Sequence, residues 1–395
     1  MATVDGELRV GMVGYAFMGA AHSQAWRTVN RFFDLPLRVR QTAICGRDPA
    51  KVAAAADRLG WESSTTDWRE LVARDDIDVI DVCTPGDSHA EITLAALAAG
   101  KHVLCEKPLA NTVDEARAMA AAARVSGVRT LCGFNYRRVP AAALMRELIA
   151  AGRIGDVRHV RAVYLQDWIV DPQFPLVWRL QRERAGSGAL GDIGAHIVDL
   201  TQYVTGRRIT GVSALTETFV KSRPLPGESA GLSASADGAG YGEVTVDDAA
   251  LFTARLEGGA IATYEATRFA TGRKNALRIE VNGSLGSLAF DLERLNELEF
   301  YDATRPGPEQ GFTRILVTEA EHPYVAAWWP PGHTLGYEHS FTHQMRDFVE
   351  AIATGTDPHP SFDEALGVQL VLDAVQRSAA DGSRWTPVPL DSLVA

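Results

Sequence analysis

From Leu8 to about Gly133 short apolar runs alternate with alanine-rich segments, a rhythm that predicts a parallel sheet with crossover helices. Strands are expected at Leu8–Val13, Gln41–Cys45, Val79–Val82, His102–Cys105 and Thr130–Gly133. Between them, Ala50–Leu59, Ala90–Ala99 and Val113–Arg124 carry helical apolar spacing and high alanine content, enough to cover a sheet face. The pattern changes after Pro140. A helix over Ala141–Ala151, stopped by Gly152, leads to a strand at Val157–Leu165, a Pro/Trp-rich loop and a helix at Ala195–Val204. Further strands are expected at Val212–Val220, Ala249–Leu256, Ala260–Ala266, Leu277–Val281, Gly286–Phe290 and Leu298–Phe300, which reads as an α+β domain on one large open, mainly antiparallel sheet. The Gly/Ser/Ala-rich insert Gly227–Gly242 reads as a mobile loop or hairpin tip. Helices at His339–Ala353 and Phe362–Ser378 close the chain and are expected to return toward the first domain.

Length and charge narrow the class. A chain of 395 residues exceeds the usual single core, so two domains are expected, 1–135 and 136–395. A net charge of −11 argues against nucleic-acid or anionic-membrane surfaces, which call for clustered Lys and Arg. The four cysteines, Cys45, Cys83, Cys105 and Cys132, fall in strand-like runs without C-x-x-C or Cys/His ligand spacing, so buried reduced thiols in a cytoplasmic protein are expected and no metal. Asp5 and Glu7 stand where a signal peptide needs basic residues, and no stretch is long and apolar enough to span a bilayer.

After the first strand comes Gly14-Tyr15-Ala16-Phe17-Met18-Gly19 and then a helix. In such a turn the first glycine permits the bend, the last lets helix approach strand, and the helix N-terminus faces a pyrophosphate. Gly14, Ala16, Phe17 and Met18 are therefore candidate cofactor contacts, although Ala16 holds the position where the fingerprint has its middle glycine. The first domain is accordingly expected to be a Rossmann dinucleotide-binding domain. The second strand ends in Cys45-Gly46-Arg47-Asp48 rather than in the acid that binds ribose hydroxyls. Gly46 removes the carboxylate and Arg47 suits adenine or a 2′-phosphate, which tips the choice toward NADP; Asp48 supplying the carboxylate from one turn later would favour NAD.

Two further clusters carry chemistry. His102–Pro108 puts Lys107 at the C-terminal end of a core strand, where open α/β sheets gather ligands. In Gly188–Asp199, Asp192, His196 and Asp199 fall at i, i+4 and i+7, on one face of a regular helix, where a carboxylate can orient a histidine to accept a hydroxyl proton. Trp168 and Trp178, with Gln166, Asp167 and Arg179, form the candidate substrate lining, since aromatic faces suit sugars; the alternative is loop packing.

These residues together resemble the Gfo/Idh/MocA oxidoreductases, the family of glucose-fructose oxidoreductase and the inositol dehydrogenases. The resemblance spans the chain and rests on Gly19 with His22, Thr84-Pro85 with His89, Glu106-Lys107-Pro108, Asn135-Tyr136-Arg137-Arg138, and Gly191-Asp192 with His196. Within it, Tyr164–Trp168, Trp178-Arg179 and Gly186–Asp192 are most similar to the levoglucosan dehydrogenase-like sugar dehydrogenases. The resemblance implies a site between two domains, Lys107, Asp192 and His196 as catalytic set, and Thr84, Pro85, His89, Glu106 and Asn135 near the cofactor. It also implies a homodimer or homotetramer through the open sheet and a cis bond before Pro108. Gly86, where many members carry asparagine, is a second departure beside Ala16. The expected activity is NAD(P)-dependent oxidation of a secondary hydroxyl on a sugar, anhydrosugar or cyclic polyol. A transient-redox enzyme that cleaves glycosides would keep the same catalytic set; a sugar sensor would have little reason to. A metal hydrolase finds no support among the ten histidines.

Overall fold

The computed structural model describes residues 6–230 and 233–390. Chain contacts divide it into two compact units, one built mainly of Met1–Asn135 and Tyr337–Leu366, the other mainly of Tyr136–Ser229, Ala234–Gly336 and Gly367–Ala395.

The first unit carries strands β1 (Glu7–Val13), β2 (Arg38–Cys45), β3 (Ser63–Thr65), β4 (Val79–Val82), β5 (His102–Cys105) and β6 (Thr130–Cys132), paired in parallel in the order β3-β2-β1-β4-β5-β6. Helices α1 (Phe17–Phe32), α2 (Pro49–Leu59), α3 (Trp68–Ala73), α4 (His89–Ala98) and α5 (Val113–Ser126) make the crossovers. Local chemistry sets their ends. Asp48 caps α2 by accepting from Lys51 N, with Pro49 in the first turn and Gly60 left-handed at the close, while Thr112 and Glu115 form a reciprocal capping box on α5. The strand order reverses between β1 and β4, which puts the turns after β1, β2, β4 and β5 at the carboxyl end of the sheet where such folds bind ligands.

The second unit holds α6 (Pro140–Ala150), β7 (Val157–Leu165), a single turn α7 (Arg182–Ala185), α8 (Ala195–Thr205) and strands β8 (Ile209–Glu217), β9 (Ser222–Ala230), β10 (Ser233–Glu243), β11 (Ala249–Leu256), β12 (Ile261–Thr267), β13 (Ala276–Gly283), β14 (Gly286–Asp291), β15 (Glu297–Asp302) and β16 (Phe312–Leu316). Helices α9 (Tyr337–Thr354) and α10 (Phe362–Ala380) and strand β17 (Thr386–Pro387) follow. The large sheet runs β16-β15-β14-β13-β7-β12-β11-β8-β17 and is antiparallel except where β7 meets β12. Along β11 Ala250, Phe252, Ala254 and Leu256 are buried while Leu251, Thr253 and Arg255 face out, the period-2 signature of a sheet covered on one side.

The differences from expectation have local causes. The insert at Gly227–Gly242 is largely strand, since β9 and β10 pair in a separate two-stranded sheet; only 231–232 lie outside the described residues. The strand expected to reach Val220 ends at Glu217, because the Asp248 carboxylate takes the amides of Phe219 and Val220 out of the ladder. Strands β3 and β16 show no alternating signal: one is three polar residues long and both lie at sheet edges. Finally, α9 departs from the expected 136–395 domain. Its Phe341, Met345, Phe348 and Val349 share one buried cluster with Leu8, Val10, Met12, Trp26 and Val29, so apolar packing assigns the helix to the first unit. Truncating Phe348 to alanine should therefore cost about 3–5 kcal/mol, read as a lowered denaturation midpoint for the unit built on β1–β6.

Candidate active site

In the first unit the glycine turn works by close approach. Gly14 has φ +106°, and a Cβ there would lie 2.7 Å from Cys83 O, so the chain can pass β4 only without a side chain. A Cβ on Gly19 would lie 2.2 Å from Gly14 O, which is how α1 comes down onto β1. Ala16 supplies no side-chain cap to α1, and no acid occupies its first turn. The amides that open this 16-residue helix thus retain their preference for an anion, and the cradle fits a dinucleotide pyrophosphate. Gly46 is covered by the Tyr15 ring, 1.9 Å from where its Cβ would be. Arg47 is exposed beside it, and Asp48 is engaged as the α2 cap rather than held out for a ribose.

The turns after β4 and β5 are tied together by His89, 1% exposed, whose Nδ1 lies 3.0 Å from Pro108 O and Nε2 2.9 Å from Thr84 O. Its ring nitrogens hold these turns in register instead of reaching for a ligand. The Thr84 hydroxyl accepts from Ser88 Oγ at 2.8 Å. The space a side chain at Gly86 would fill is taken by the Asn111 amide, whose Oδ1 would be 2.3 Å from a Cβ there. Asn135 is buried, donating to Ser340 Oγ at 2.8 Å. The Lys107–Pro108 bond is cis and Lys107 is half-buried. Glu106 turns inward: one oxygen lies 3.0 Å from His22 Nε2 and the other accepts from its neighbour's amide, Lys107 N, at 3.2 Å.

His22, Asp81 and Cys83 bring ligand-type atoms within 4.8 Å of one another. Burial pushes the Cys83 thiol well above its ordinary range, and its Sγ lies 3.4 Å from Asp81 Oδ1 and 3.3 Å from His22 Nδ1, so the three side chains are joined by hydrogen bonds. All four cysteines are buried and unbridged, with Cys45 pushed up to about 12 chiefly by burial.

In the second unit Asp192 lies in a π-helical turn, Leu190–Gly194, that runs directly into α8 and His196. The regular helical spacing expected for Asp192, His196 and Asp199 does not hold across it. Asp199 is buried against Arg137, which donates from Nε at 2.9 Å and from Nη2 at 2.6 Å, so its carboxylate serves that ion pair. The π turn is set by Asp247, which accepts from Gly188 N at 2.7 Å and Leu190 N at 2.8 Å while its carbonyl accepts from Ala189 N at 3.0 Å. A Cβ on Gly188 would lie 1.8 Å from that carbonyl, which explains the glycine. Beside Asp192 stands Arg268, 1% exposed, with Nη1 3.6 Å from Asp192 Oδ2 and its guanidinium 5.5 Å from the Trp168 ring centre. Burial lowers the Arg179 pKa, an effect Asp192 opposes and Arg268 adds to.

His196 is 7% exposed, its ring centre 4.5 Å from that of Tyr136 and 5.9 Å from that of Tyr164. From these rings a chain of hydrogen bonds leads outward: Tyr136 Oη to Tyr164 Oη at 2.8 Å, Tyr164 Oη to Asn275 Oδ1 at 2.7 Å, Gln166 Nε2 to the same Oδ1 at 2.8 Å, and Trp168 Nε1 to Gln166 Oε1 at 3.0 Å. The expected pocket residues Gln166 and Trp168 are therefore fixed in place, and Trp168 also packs edge-on to Phe174. Asp167 pairs with Lys274. Its carboxylate, held below the usual range by Lys274 and the Gly272 amide, fastens the loop after β12. Trp178 is half-buried with the Arg179 guanidinium 4.4 Å from its ring centre. Sequence reasoning missed Asp247, Arg268, Tyr136 and Asn275 as shaping residues. Only Tyr136 carried a local signal, inside Asn135–Arg138; the others act from distant strand ends.

Residues 8–134 match the family described as "Oxidoreductase family, NAD-binding Rossmann fold", and residues 142–289 match the "GFO/IDH/MocA C-terminal domain". The chain is 42% identical to levoglucosan dehydrogenase of Pseudarthrobacter phenanthrenivorans over 97% of its length and 98% of the relative's. Among solved structures, an oxidoreductase domain protein from Kribbella flavida superposes with a TM-score of 0.92 at 63% identity, covering 97% of this chain and 99% of that one. A levoglucosan dehydrogenase in complex with NADH and levoglucosan superposes with a TM-score of 0.91 at 40% identity, covering 97% and 100%. The clamp on the π turn gives a direct check. Asp247→Ala leaves the Gly188 and Leu190 amides without their acceptor, which should cost about 1–3 kcal/mol of stability in a melting experiment and depress turnover as the Asp192 turn relaxes.

Proposed function

Because the chain belongs to the Gfo/Idh/MocA oxidoreductases, we propose that it is a dehydrogenase oxidising a secondary hydroxyl of a sugar, anhydrosugar or cyclic polyol, with Lys107, Asp192 and His196 as its catalytic set. One observation carries the reading: a lysine in the turn after β5 of a nicotinamide-binding domain occurs with an aspartate on a clamped π turn and a histidine in the first turn of the helix that follows it, in a chain 42% identical to a levoglucosan dehydrogenase. Bound nicotinamide supplies the hydride acceptor. As the carbinol C–H bond breaks and the C=O bond forms, His196 accepts the hydroxyl proton, and its place between Tyr136 and Tyr164 keeps the ring in one orientation. Lys107 donates a hydrogen bond to the same oxygen, holding the charge that develops there. Asp192, steadied by Arg268, orients the pair. Trp168, fixed through Gln166, and Trp178 offer flat apolar faces to the sugar ring, with Arg179 for its hydroxyls.

The cofactor cradle suits either nicotinamide dinucleotide. Arg47 gives the enzyme its hold on a 2′-phosphate, while the NADH bound by the levoglucosan dehydrogenase structures supports NAD as an equal or better partner. The chain works as a homo-oligomer through the open face of the large sheet, where Leu215 and Leu251 stand opposite each other on β8 and β11 and are 65% and 47% exposed. Among the described residues no helix is long and apolar enough to cross a membrane, and the buried thiols suit a reducing cytoplasm.

A panel of anhydrosugars, aldoses and cyclic polyols, assayed by cofactor absorbance with NAD and NADP, should give sugar-dependent reduction, and Lys107→Ala should lower it by about 10²–10⁴-fold while cofactor binding stays within roughly tenfold. A near-full rate in that variant overturns the assignment. For the dinucleotide, Arg47→Ala should weaken NADP by about 1–3 kcal/mol and NAD by little, measured by titration; equal losses would assign Arg47 to adenine instead.

A further inference from the structure

His22 is fully buried, and each ring nitrogen meets a carboxylate: Nδ1 lies 3.0 Å from both oxygens of Asp81, and Nε2 lies 3.0 Å from Glu106 Oε1. An ionised carboxylate only accepts, so a neutral imidazole would leave one nitrogen lone pair facing an oxygen in a buried site. The imidazolium donates at both. Burial is the strongest single influence and opposes that charge, but the attraction and hydrogen bonding of Asp81, with a lesser contribution from Cys83, together hold the histidine well above its ordinary pKa. The remaining partners are neutral donors, Trp26 Nε1 to Asp81 at 2.7 Å and the Cys83 thiol at 3.4 Å, and the Phe341 ring lies 5.5 Å away.

The second arm of this network reaches the chemistry. Glu106 Oε2 accepts from Lys107 N at 3.2 Å, and the same carboxylate is packed so closely that a Cβ on Gly133 would lie 2.5 Å from its Oε1. A continuous path therefore runs from α1, the helix of the cofactor turn, through His22 and Glu106 to the backbone of Lys107. We propose that His22 is a permanently charged imidazolium strut, the positioning residue that fixes through Glu106 the turn from which Lys107 acts; the role given to Lys107 rests on the dehydrogenase reading above. A positional error near 1 Å at such a group is enough to cost about 10²-fold in rate.

The test combines a readout that needs no activity with one that does. In ¹⁵N-histidine spectra of the whole protein, His22 should carry protons on both nitrogens across the neutral range; one bare nitrogen overturns the strut. In His22→Gln the Lys107 amide resonance should shift as its bond to Glu106 loosens. The rate at saturating sugar should fall about 10–100-fold, while the sugar KM and the NADH dissociation constant stay within about threefold. In a Lys107→Ala background the same change should lower the residual rate no further; independent, multiplying losses would make His22 merely structural. If His22→Gln does not fold, Glu106→Gln, which weakens the second arm alone, is read the same way. An unmoved Lys107 amide with an unchanged rate sinks the strut. Spectra as expected in a protein that no sugar allows to reduce NAD would sink the dehydrogenase reading and leave the strut standing.

Discussion

The Asp247 clamp is the constraint on which the geometry of the second unit's Asp192 turn depends. Three successive amides, at Gly188, Ala189 and Leu190, are satisfied by one residue, two by its carboxylate and one by its carbonyl. With those donors fixed and no Cβ at Gly188 to hold the chains apart, the backbone enters α8 through a wide π turn instead of a regular helical one. That turn presents Asp192 toward Arg268 and leaves His196 against Tyr136 and Tyr164. A polar residue outside the helix thus sets the turn from which α8 begins.

The first unit solves the same problem with a different acid. Glu106 sits at the end of a buried strand, where an unpaired carboxylate would be costly. His22 and the Lys107 amide engage its two oxygens, so the residue beside the lysine is anchored to the helix that opens the dinucleotide turn. His89 braces the neighbouring turns by their carbonyls. The glycine turn and the turn that carries Lys107 are thereby held by one set of buried polar contacts, and rigidity there suits the fixed geometry that the proposed reaction needs.

How much of this was legible in the sequence depended on whether the signal was local. Strands Val79–Val82, His102–Cys105, Val157–Leu165 and Ala249–Leu256 coincide with their expected bounds because each is a compact apolar or alternating run. Lys107, Asp192 and His196, the proposed catalytic set, stood out because each lies in a motif contiguous in the chain. What stayed hidden was pairing across distance. Asp199 has the right spacing for a partner of His196, yet Arg137 claims it; Asp167 lies in the expected lining, yet Lys274 and Gly272 hold it. The helix beginning at Tyr337 follows the second domain in the chain, yet its Phe341, Met345 and Phe348 lie in the first unit's core, the return expected of the closing helices. A spacing argument assumes a regular helix, and a π turn breaks that assumption without any residue type that announces it.

The central claim is that these groups carry out net removal of hydride and proton from a carbinol. Its most direct measurement uses a sugar from the active class deuterated at the carbon to be oxidised, incubated with the wild-type protein and oxidised cofactor, with both products followed by mass. Deuterium should appear on the reduced nicotinamide in an amount equal to the keto sugar formed. Cleavage of a glycosidic bond with no accumulation of reduced cofactor would contradict the account and assign the same residues to transient redox chemistry.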